Sequence, residues 1–334
     1  MALSDIARTL ETSANNLAAR RARAKGWTPA VTGYSGYGSL ESARVLGRVL
    51  LEDPSRVEEE SWAQRGYRQF FTIEVPDLPV TVTLGDARID TTANEQGYID
   101  VHLVGHGLQP GRHVARIEAA GALHAEAPVF VADPAARVGI VSDIDDTVLV
   151  TWLPRAWTAA WNSWVRRTNT RQPVPGMARF YSELTERYPD APVVYLSTGA
   201  WNTYETLTEF LDRNGFPAGP LLLTDWGPTP TGLFRNGQEH KRVQLRNLFL
   251  AYPDIQWILI GDDGQHDPLT YADAATEHPH RIKGIAIRNL TPEQQLLAHG
   301  TLAPLVRTQA PGHGSIPLVQ GADGDALRKE WTRL

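Results

Sequence analysis

The sequence contains no cysteine, which excludes disulfide bonds, thiolate nucleophiles and cysteine-ligated zinc sites. It also lacks an apolar run near the roughly 18–20 residues that a membrane-spanning helix needs. Its N-terminus has acidic residues and no long apolar block, so a secretory signal is not predicted. An excess of positive charge is absent as well, because the formal net charge is -6, and we expect no nucleic-acid partner. These absences together favour a cytoplasmic protein.

The pattern of apolar residues divides the chain into segments. Residues 1–29 are predicted to contain an N-terminal helix, and residues 30–135 alternate apolar and polar positions between short turns. That alternation predicts an antiparallel β-sandwich domain. In residues 136–305 apolar strands alternate with helical stretches, which predicts an α/β domain with a doubly wound parallel sheet. Residues 148–190 form a cap-like insert after the first strand of that sheet, and residues 306–334 are a C-terminal tail.

The most informative segment follows the apolar run at 138–142. Asp143, Asp145 and Thr147 come directly after this predicted strand, before the chain becomes apolar again. Carboxylates between two apolar runs are costly to bury unless a cation meets them. Ligands of parallel sheets bind outside the carboxyl ends of the strands. The segment therefore predicts a site where one carboxylate acts as nucleophile and the second as proton donor.

Polar residues of a matching kind follow other predicted strands. Residues 197–199, Ser-Thr-Gly, offer a hydroxyl and backbone N–H groups to phosphate oxygens. Lys241 supplies a positive charge, and Asp262, Asp263 and Asp267 supply the oxygen ligands that Mg²⁺ prefers.

Each of these residues also has a simpler interpretation. Ser197 and Thr198 could cap a helix, Lys241 could be a solvated surface residue, and Asp267 could cap the next helix. A calcium-binding loop beginning at Asp143 is excluded, because Val148 occupies the position that requires glycine.

The ordered set Asp-x-Asp-x-Thr, Ser-Thr-Gly, Lys and Gly-Asp-x-x-x-x-Asp resembles the haloacid dehalogenase superfamily of phosphatases. Additional segments make the resemblance more specific; they lie at residues 35–38, 175–177, 197–202, 240–241 and 261–268. Together they are similar to the Mg²⁺-dependent phosphatidate phosphatase catalytic-domain family first described in fungal actin patches. The resemblance covers roughly residues 30–300 and implies a haloacid dehalogenase-like fold.

The resemblance also implies a role for each residue. Asp143 would form an aspartyl-phosphate, and Asp145 would protonate the leaving alkoxide and later activate water. The implied phosphate-binding residues are Ser197, Thr198, Gly199 and Lys241, of which Ser197 and Lys241 also count as catalytic. The implied Mg²⁺ ligands are Asp143, Asp262 and the backbone carbonyl of Asp145, with Thr147, Asp263 and Asp267 in support.

The insert contains a possible substrate face. Trp157, Trp161 and Trp164 fall at i, i+4 and i+7, so they share one face of a helix. Tryptophan beside arginine is typical of segments at a lipid headgroup boundary, which favours peripheral membrane contact. The alternative is that these side chains pack inward as the core of a small cap, or line a contact with the sandwich domain.

The sequence thus leads us to expect a Mg²⁺-dependent phosphatase that converts phosphatidate to diacylglycerol through an aspartyl-phosphate. Two alternatives stay open. One is the same chemistry on a soluble phosphomonoester, and the other is a lipid- or protein-binding module with a vestigial site.

Overall fold

The computed structural model describes residues 15, 17–53, 73–150, 172–224, 237–264, 266–299 and 316–334. These residues form two compact units, the first ending at Pro134 and the second beginning at Ala135. Residues 17–24 are helical and precede the first strand. No helix in the described part of the chain is both long enough and apolar enough to cross a membrane.

The first unit contains a single sheet of seven strands. These are β1 (Thr28–Gly38), β2 (Ser42–Glu52), β3 (Pro79–Leu84), β4 (Ala87–Thr92), β5 (Tyr98–Val104), β6 (Gly111–Ala119) and β7 (Ala125–Val131). They lie in the order β4-β3-β6-β7-β1-β2-β5. Neighbouring strands are antiparallel except β1 and β7, which pair in parallel, so the sheet is mixed.

This sheet is strongly curved, because side chains from distant strands meet on its inner face. A Cβ atom placed on Gly47 in β2 would lie 2.8 Å from Ile117 of β6, and 3.7 Å from Ile99 of β5. In the sheet, β6 is separated from β2 by both β7 and β1. The apolar residues of all these strands form one core. The sheet is therefore a nearly closed barrel that covers its own apolar face.

The predicted antiparallel sandwich is wrong for this reason. Alternating apolar and polar residues show that one face of a strand is buried. They do not show whether the covering face belongs to a second sheet or to the same sheet after it curls.

The glycines of β1 explain why the sequence pattern does not identify this strand. Glycine is depleted in strands and weakens the alternating signal. A Cβ on Gly33 would lie 2.2 Å from the carbonyl oxygen of Glu126, and one on Gly36 would lie 2.0 Å from that of Arg44. Glycine is required here because the backbones of β7 and β2 approach β1 too closely for a side chain.

The second unit contains six parallel strands. They are β8 (Val138–Ser142), β9 (Val193–Ala200), β10 (Leu221–Thr224), β11 (Gln256–Asp262), β12 (Ile282–Arg288) and β13 (Leu318–Gly321), in the order β10-β9-β8-β11-β12-β13. The helices are α1 (Met177–Arg187), α2 (Tyr204–Arg213), α3 (Gly237–Ala251), α4 (Asp267–Glu277), α5 (Pro292–His299) and α6 (Gly324–Trp331). The chain order of the strands reverses at β8, so the carboxyl ends of β8, β9 and β11 form the crevice where a ligand is expected.

The predicted fold class is therefore corrected. In its described residues the chain has one mixed, barrel-like sheet and a separate six-stranded parallel sheet, in place of a sandwich followed by a haloacid dehalogenase-like doubly wound domain. Alternating strands and helices indicate a parallel sheet but do not give the order of its strands. Residues 316–334, assigned to a tail from the sequence, supply β13 beside β12 and also α6. The predicted substrate face, Trp157, Trp161 and Trp164, lies outside the described residues.

Candidate active site

Three aspartates and one lysine meet at the carboxyl ends of β8 and β11. Asp143 directly follows β8, Asp262 ends β11, and Asp267 begins α4. Lys241, on α3, places its Nζ atom 2.6 Å from Asp143 Oδ1 and 2.5 Å from Asp267 Oδ1. All four side chains are buried. The structure therefore brings together residues that the sequence places at separate strand and helix ends.

The charges in this cluster are not balanced. Burial lowers the pKa of Lys241, but the charges of Asp143 and Asp267 outweigh it, and the net shift is upward. Desolvation raises the pKa of Asp143 to about 7 against the opposing effect of Lys241. Desolvation also raises the pKa of Asp262, and the neighbouring carboxylates of Asp267 and Asp143 add to that shift. One lysine cannot neutralise three carboxylates, so the cluster lacks positive charge.

The residues present fit a hard divalent cation. One oxygen from each of Asp143, Asp262 and Asp267 lies within 4.8 Å of the others. Among the described residues, Asp267 Oδ2 is buried and has no hydrogen-bond partner, an arrangement that a bound cation would explain. Carboxylate oxygens are the ligands that Mg²⁺ prefers in proteins.

The neighbours of the cluster fix the orientation of its carboxylates. The backbone N–H of Gly264 donates to Asp262 Oδ1 at 2.6 Å, and the Thr147 hydroxyl donates to Asp262 Oδ2 at 3.3 Å. A Cβ on Gly261 would lie 2.5 Å from Asp267 Oδ2, so glycine at this position leaves room for the Asp267 carboxylate.

Asp145 and Ser197 form a second part of the site. The Ser197 hydroxyl donates to Asp145 Oδ2 at 3.1 Å and accepts from the backbone N–H of Gly199 at 2.9 Å. Ser197 is buried, whereas Asp145, Thr198 and Gly199 are partly exposed and accessible to a ligand. The predicted proton donor therefore lies beside the predicted phosphate-binding residues at the end of β9, and its carboxylate is outside the three-carboxylate cluster.

Asp263 does not join the cluster. Its Oδ1 accepts from the backbone N–H of Leu290 at 2.7 Å, and its Oδ2 accepts from Gln295 Nε2 at 3.4 Å. Burial raises the pKa of this carboxyl. Its observed contacts hold the segment that follows β12.

Two residues that the sequence reasoning missed support the backbone of the site. Thr224, at the end of β10, donates its hydroxyl to the carbonyl oxygens of Thr198 at 2.9 Å and Gly199 at 3.2 Å. Tyr181, on the buried face of α1, contacts the hydroxyl of Ser142, which donates to the Asp143 carbonyl at 2.6 Å. The sequence could have indicated Thr224, because a residue with a hydroxyl stands at the end of a predicted strand. No sequence pattern indicates Tyr181, whose contact with Ser142 is seen only in the tertiary structure.

Comparison with known proteins shows a family match in the central part of the chain. Residues 138–289 match the family described as phosphatidate phosphatase APP1, catalytic domain. Phosphatidate phosphatase APP1 of Saccharomyces cerevisiae is 25% identical over 246 residues, which are 70% of this chain and 41% of that protein. An uncharacterized protein of Schizosaccharomyces pombe is 27% identical over 154 residues, which are 46% of this chain and 25% of that protein. The chain thus spans less than half the length of these curated relatives.

Solved structures are similar only at a distance. An uncharacterized protein from Listeria monocytogenes serotype 4b has a TM-score of 0.36 at 11% identity, covering 59% of this chain and 97% of that one. The HAD domain of effector protein Lem4 from Legionella pneumophila has a TM-score of 0.30 at 14% identity, covering 47% and 88%. A carbohydrate acetylesterase from Xanthomonas citri has a TM-score of 0.27 at 12% identity, covering 76% and 66%. Matches this distant, to esterases as well as a HAD domain, do not establish the predicted doubly wound fold.

The family match spans the segment that contains Asp143, Ser197, Lys241 and Asp262. It supports the predicted enzyme class, a phosphoric monoester hydrolase. Residues 138–289 of this chain match the family of the phosphatidate phosphatase APP1 catalytic domain, as the motifs predicted.

Proposed function

We propose that this chain is a Mg²⁺-dependent phosphatidate phosphatase in which Asp143 is the nucleophile. The observation that carries the proposal is the contact of Lys241 Nζ with both Asp143 and Asp267, beside the carboxylate of Asp262. In this buried cluster the Asp143 carboxylate would act as the nucleophile, Lys241 supplies a fixed positive charge, and the three carboxylates could hold a divalent metal. The family match and the name of the yeast relative support the choice of substrate.

The reaction divides into two displacements at phosphorus. In the first, a carboxylate oxygen of Asp143 attacks, and its bond to phosphorus forms as the bond to the leaving alkoxide breaks. Asp145 donates its proton to that alkoxide oxygen, which becomes the hydroxyl of diacylglycerol. In the second, Asp145 takes a proton from water as the water oxygen attacks phosphorus. The bond between phosphorus and the Asp143 oxygen breaks, which releases inorganic phosphate and restores the Asp143 carboxylate.

The surrounding residues favour the charge distribution of these steps. Lys241 lies 2.6 Å from Asp143 Oδ1, so its ammonium can offset charge on the nucleophile and on the phosphoryl oxygens. The Ser197 hydroxyl, now bonded to Asp145, can turn toward a phosphoryl oxygen. Mg²⁺, held by Asp143 and Asp262 with the Asp145 carbonyl or Asp267 completing the set, would supply further positive charge at the phosphoryl group.

An assay with several substrates tests the proposal. Phosphatidate in detergent micelles and a panel of soluble phosphomonoesters are incubated with the full chain, with Mg²⁺ and again with EDTA. We expect phosphate release from phosphatidate that depends on Mg²⁺ and exceeds release from every soluble compound.

Faster hydrolysis of a soluble compound would overturn phosphatidate as the substrate, but it would leave the proposed phosphatase mechanism in place. Absence of hydrolysis of every phosphomonoester, together with tight vesicle binding, would instead identify a binding module with a vestigial site.

A further inference from the structure

Asp146 has a left-handed backbone conformation, with φ of 57°. Residues with a Cβ atom are uncommon in this conformation, although aspartate adopts it more readily than most of them. The turn around it is tight, because the N–H groups of Val148 and Leu149 both donate to the carbonyl of Ile144, at 2.9 Å and 3.2 Å. This turn connects directly to Asp143 and Asp145, so whatever holds Asp146 also affects their carboxylates.

Arg288 provides that restraint. It ends β12, and its side chain is buried, with 4% of its surface exposed. Its Nη1 donates to the carbonyl oxygen of Asp146 at 2.5 Å, its Nη2 to Gln294 Oε1 at 3.0 Å, and its Nε to the carbonyl of Ala322 at 3.2 Å. A guanidinium with three separate acceptors is fixed in position, so it presents a rigid donor to Asp146.

The segment that surrounds Arg288 is itself fixed. Gln294 Oε1 also accepts from the backbone N–H of Thr291 at 3.1 Å. The backbone N–H of Asp263 donates to the Arg288 carbonyl at 2.9 Å, and the Asp263 carboxylate accepts from Leu290. Arg288 therefore connects the turn after β8 to the ordered segments after β11 and β12.

We infer that Arg288 is a positioning residue. It holds Asp146 in the left-handed conformation and thereby keeps Asp143 and Asp145 in place for the proposed reaction, on which the inference rests. The backbone of Arg288 pairs with that of Asp262 in the sheet, and the charges of Arg288 and Asp262 interact. Within the described residues no hydrogen bond joins the Arg288 guanidinium to the Asp143–Asp262–Asp267 cluster, so its positioning effect passes through the turn.

The same strand offers a matched control at its other end. Arg281, one residue before β12, is also buried, with 8% of its surface exposed. It donates to the carbonyl oxygens of Ile255 and Phe249, both at 3.1 Å, and to that of Tyr252. Replacing either arginine by methionine removes a buried guanidinium and three hydrogen bonds, but only Arg288 contacts the turn that carries the site.

The experiment compares Arg288→Met with Arg281→Met in the full chain. Two measurements are made, the kcat and KM for phosphatidate with Mg²⁺ and the exchange rates of the amides at residues 147–149. We expect Arg288→Met to lower kcat about 10- to 100-fold with KM nearly unchanged, because small displacements of reacting groups are costly. Amide exchange in the turn should accelerate about tenfold. Arg281→Met should lower the unfolding midpoint and change neither kcat nor exchange in the turn.

A second substitution tests the conformational cause. Glycine adopts positive φ without strain, so Asp146→Gly should restore part of the kcat lost in Arg288→Met, whereas Asp146→Ala should not. Equal kcat for the glycine and alanine double variants would overturn the inference, as would unchanged kcat in Arg288→Met.

If Arg288→Met does not fold, Arg288→Lys is measured instead with the same expectations. Lysine keeps the positive charge but lacks the planar set of guanidinium donors. An inactive wild-type chain would refute the proposed function, while the exchange rates would still decide whether Arg288 holds the turn.

Discussion

The two sheets of this chain hold their charged residues in different ways. In the seven-stranded sheet, Arg44 donates from Nε and Nη2 to the two carboxylate oxygens of Asp100, at 2.7 Å and 2.6 Å. Arg48 similarly lies 3.1 Å from a carboxylate oxygen of Glu74. Each of these arginines is paired with a carboxylate.

At the carboxyl ends of the six-stranded sheet, charge is not balanced. Lys241 is shared between Asp143 and Asp267, and Asp262 lies within the same group of oxygens. A buried surplus of carboxylate is costly, and it persists where a metal ion or a reaction requires it. The comparison teaches that these arginines of the first sheet are paired with carboxylates, whereas the site holds more buried carboxylates than its lysine can pair.

The largest expected effect comes from removing the nucleophile. Asp143→Asn should lower kcat for phosphatidate by about 1,000-fold or more, because an amide cannot form the covalent intermediate. Phosphate release with Mg²⁺ present measures this. The matched control is Asp100→Asn in the first sheet, which should leave kcat unchanged. Substantial Mg²⁺-dependent turnover by Asp143→Asn would mean that another group attacks phosphorus.

Removing the shared cation should have the next largest effect. Lys241→Met should lower kcat about 100-fold, since a fixed positive charge is lost at the reacting centre. It should also lower the free energy of unfolding of the metal-free protein by about 3–5 kcal/mol, because two buried carboxylates lose their partner. Urea unfolding measures the second quantity. Asp100→Asn, which breaks a half-exposed pair, should cost at most about 1 kcal/mol, and an equal loss in both variants would remove the contrast between the sheets.

The surplus of carboxylate also predicts how metal binding depends on pH. In the metal-free protein the pKa of Asp143 is raised to about 7, chiefly by desolvation, so below that pH the group holds a proton. A metal must displace this proton, and the apparent affinity for Mg²⁺ should therefore fall as pH falls, by up to about tenfold between pH 7 and pH 6. The Mg²⁺ concentration that raises the thermal unfolding midpoint measures this affinity. Asp143→Asn should flatten the dependence, and a pH-independent wild-type affinity would contradict the prediction.

The smallest effect is expected at the predicted phosphate-binding residues at the end of β9. Thr224→Val removes the hydroxyl that donates to the carbonyls of Thr198 and Gly199. We expect KM to rise about three- to tenfold, because one lost hydrogen bond of this kind is worth about 1 kcal/mol. Thr224→Ser keeps the hydroxyl and should restore KM. Equal KM values for the valine and serine variants would show that the Thr224 hydroxyl does not orient the backbone of Thr198 and Gly199.

Particular residues show how far the sequence could lead. The apolar run 138–142 has the same bounds as β8, and Asp143 follows it in both the sequence pattern and the structure. The first sheet was harder to predict. The glycines of β1 weaken the strand signal, and alternating apolar and polar residues do not show whether the strands form one sheet or two. β13 was missed because it lies in a C-terminal segment whose glycines and prolines obscure the strand pattern.

The amino-acid sequence by itself determined the available chemistry and the resemblance to a family. It excluded thiol chemistry and placed carboxylates, a hydroxyl and a lysine in an order that resembles the phosphatidate phosphatase family, whose model matches residues 138–289. Only the tertiary structure decided which of these groups meet. Lys241 bonds to a carboxylate 98 residues away, Asp267 rather than the side chain of Asp145 shares the cluster, and Arg288 reaches a carbonyl 142 residues away. Hydrogen bonds act over about 3 Å, and contacts between residues so far apart depend on the pairing of β8 with β11 and β12 with β11, which periodicity does not encode.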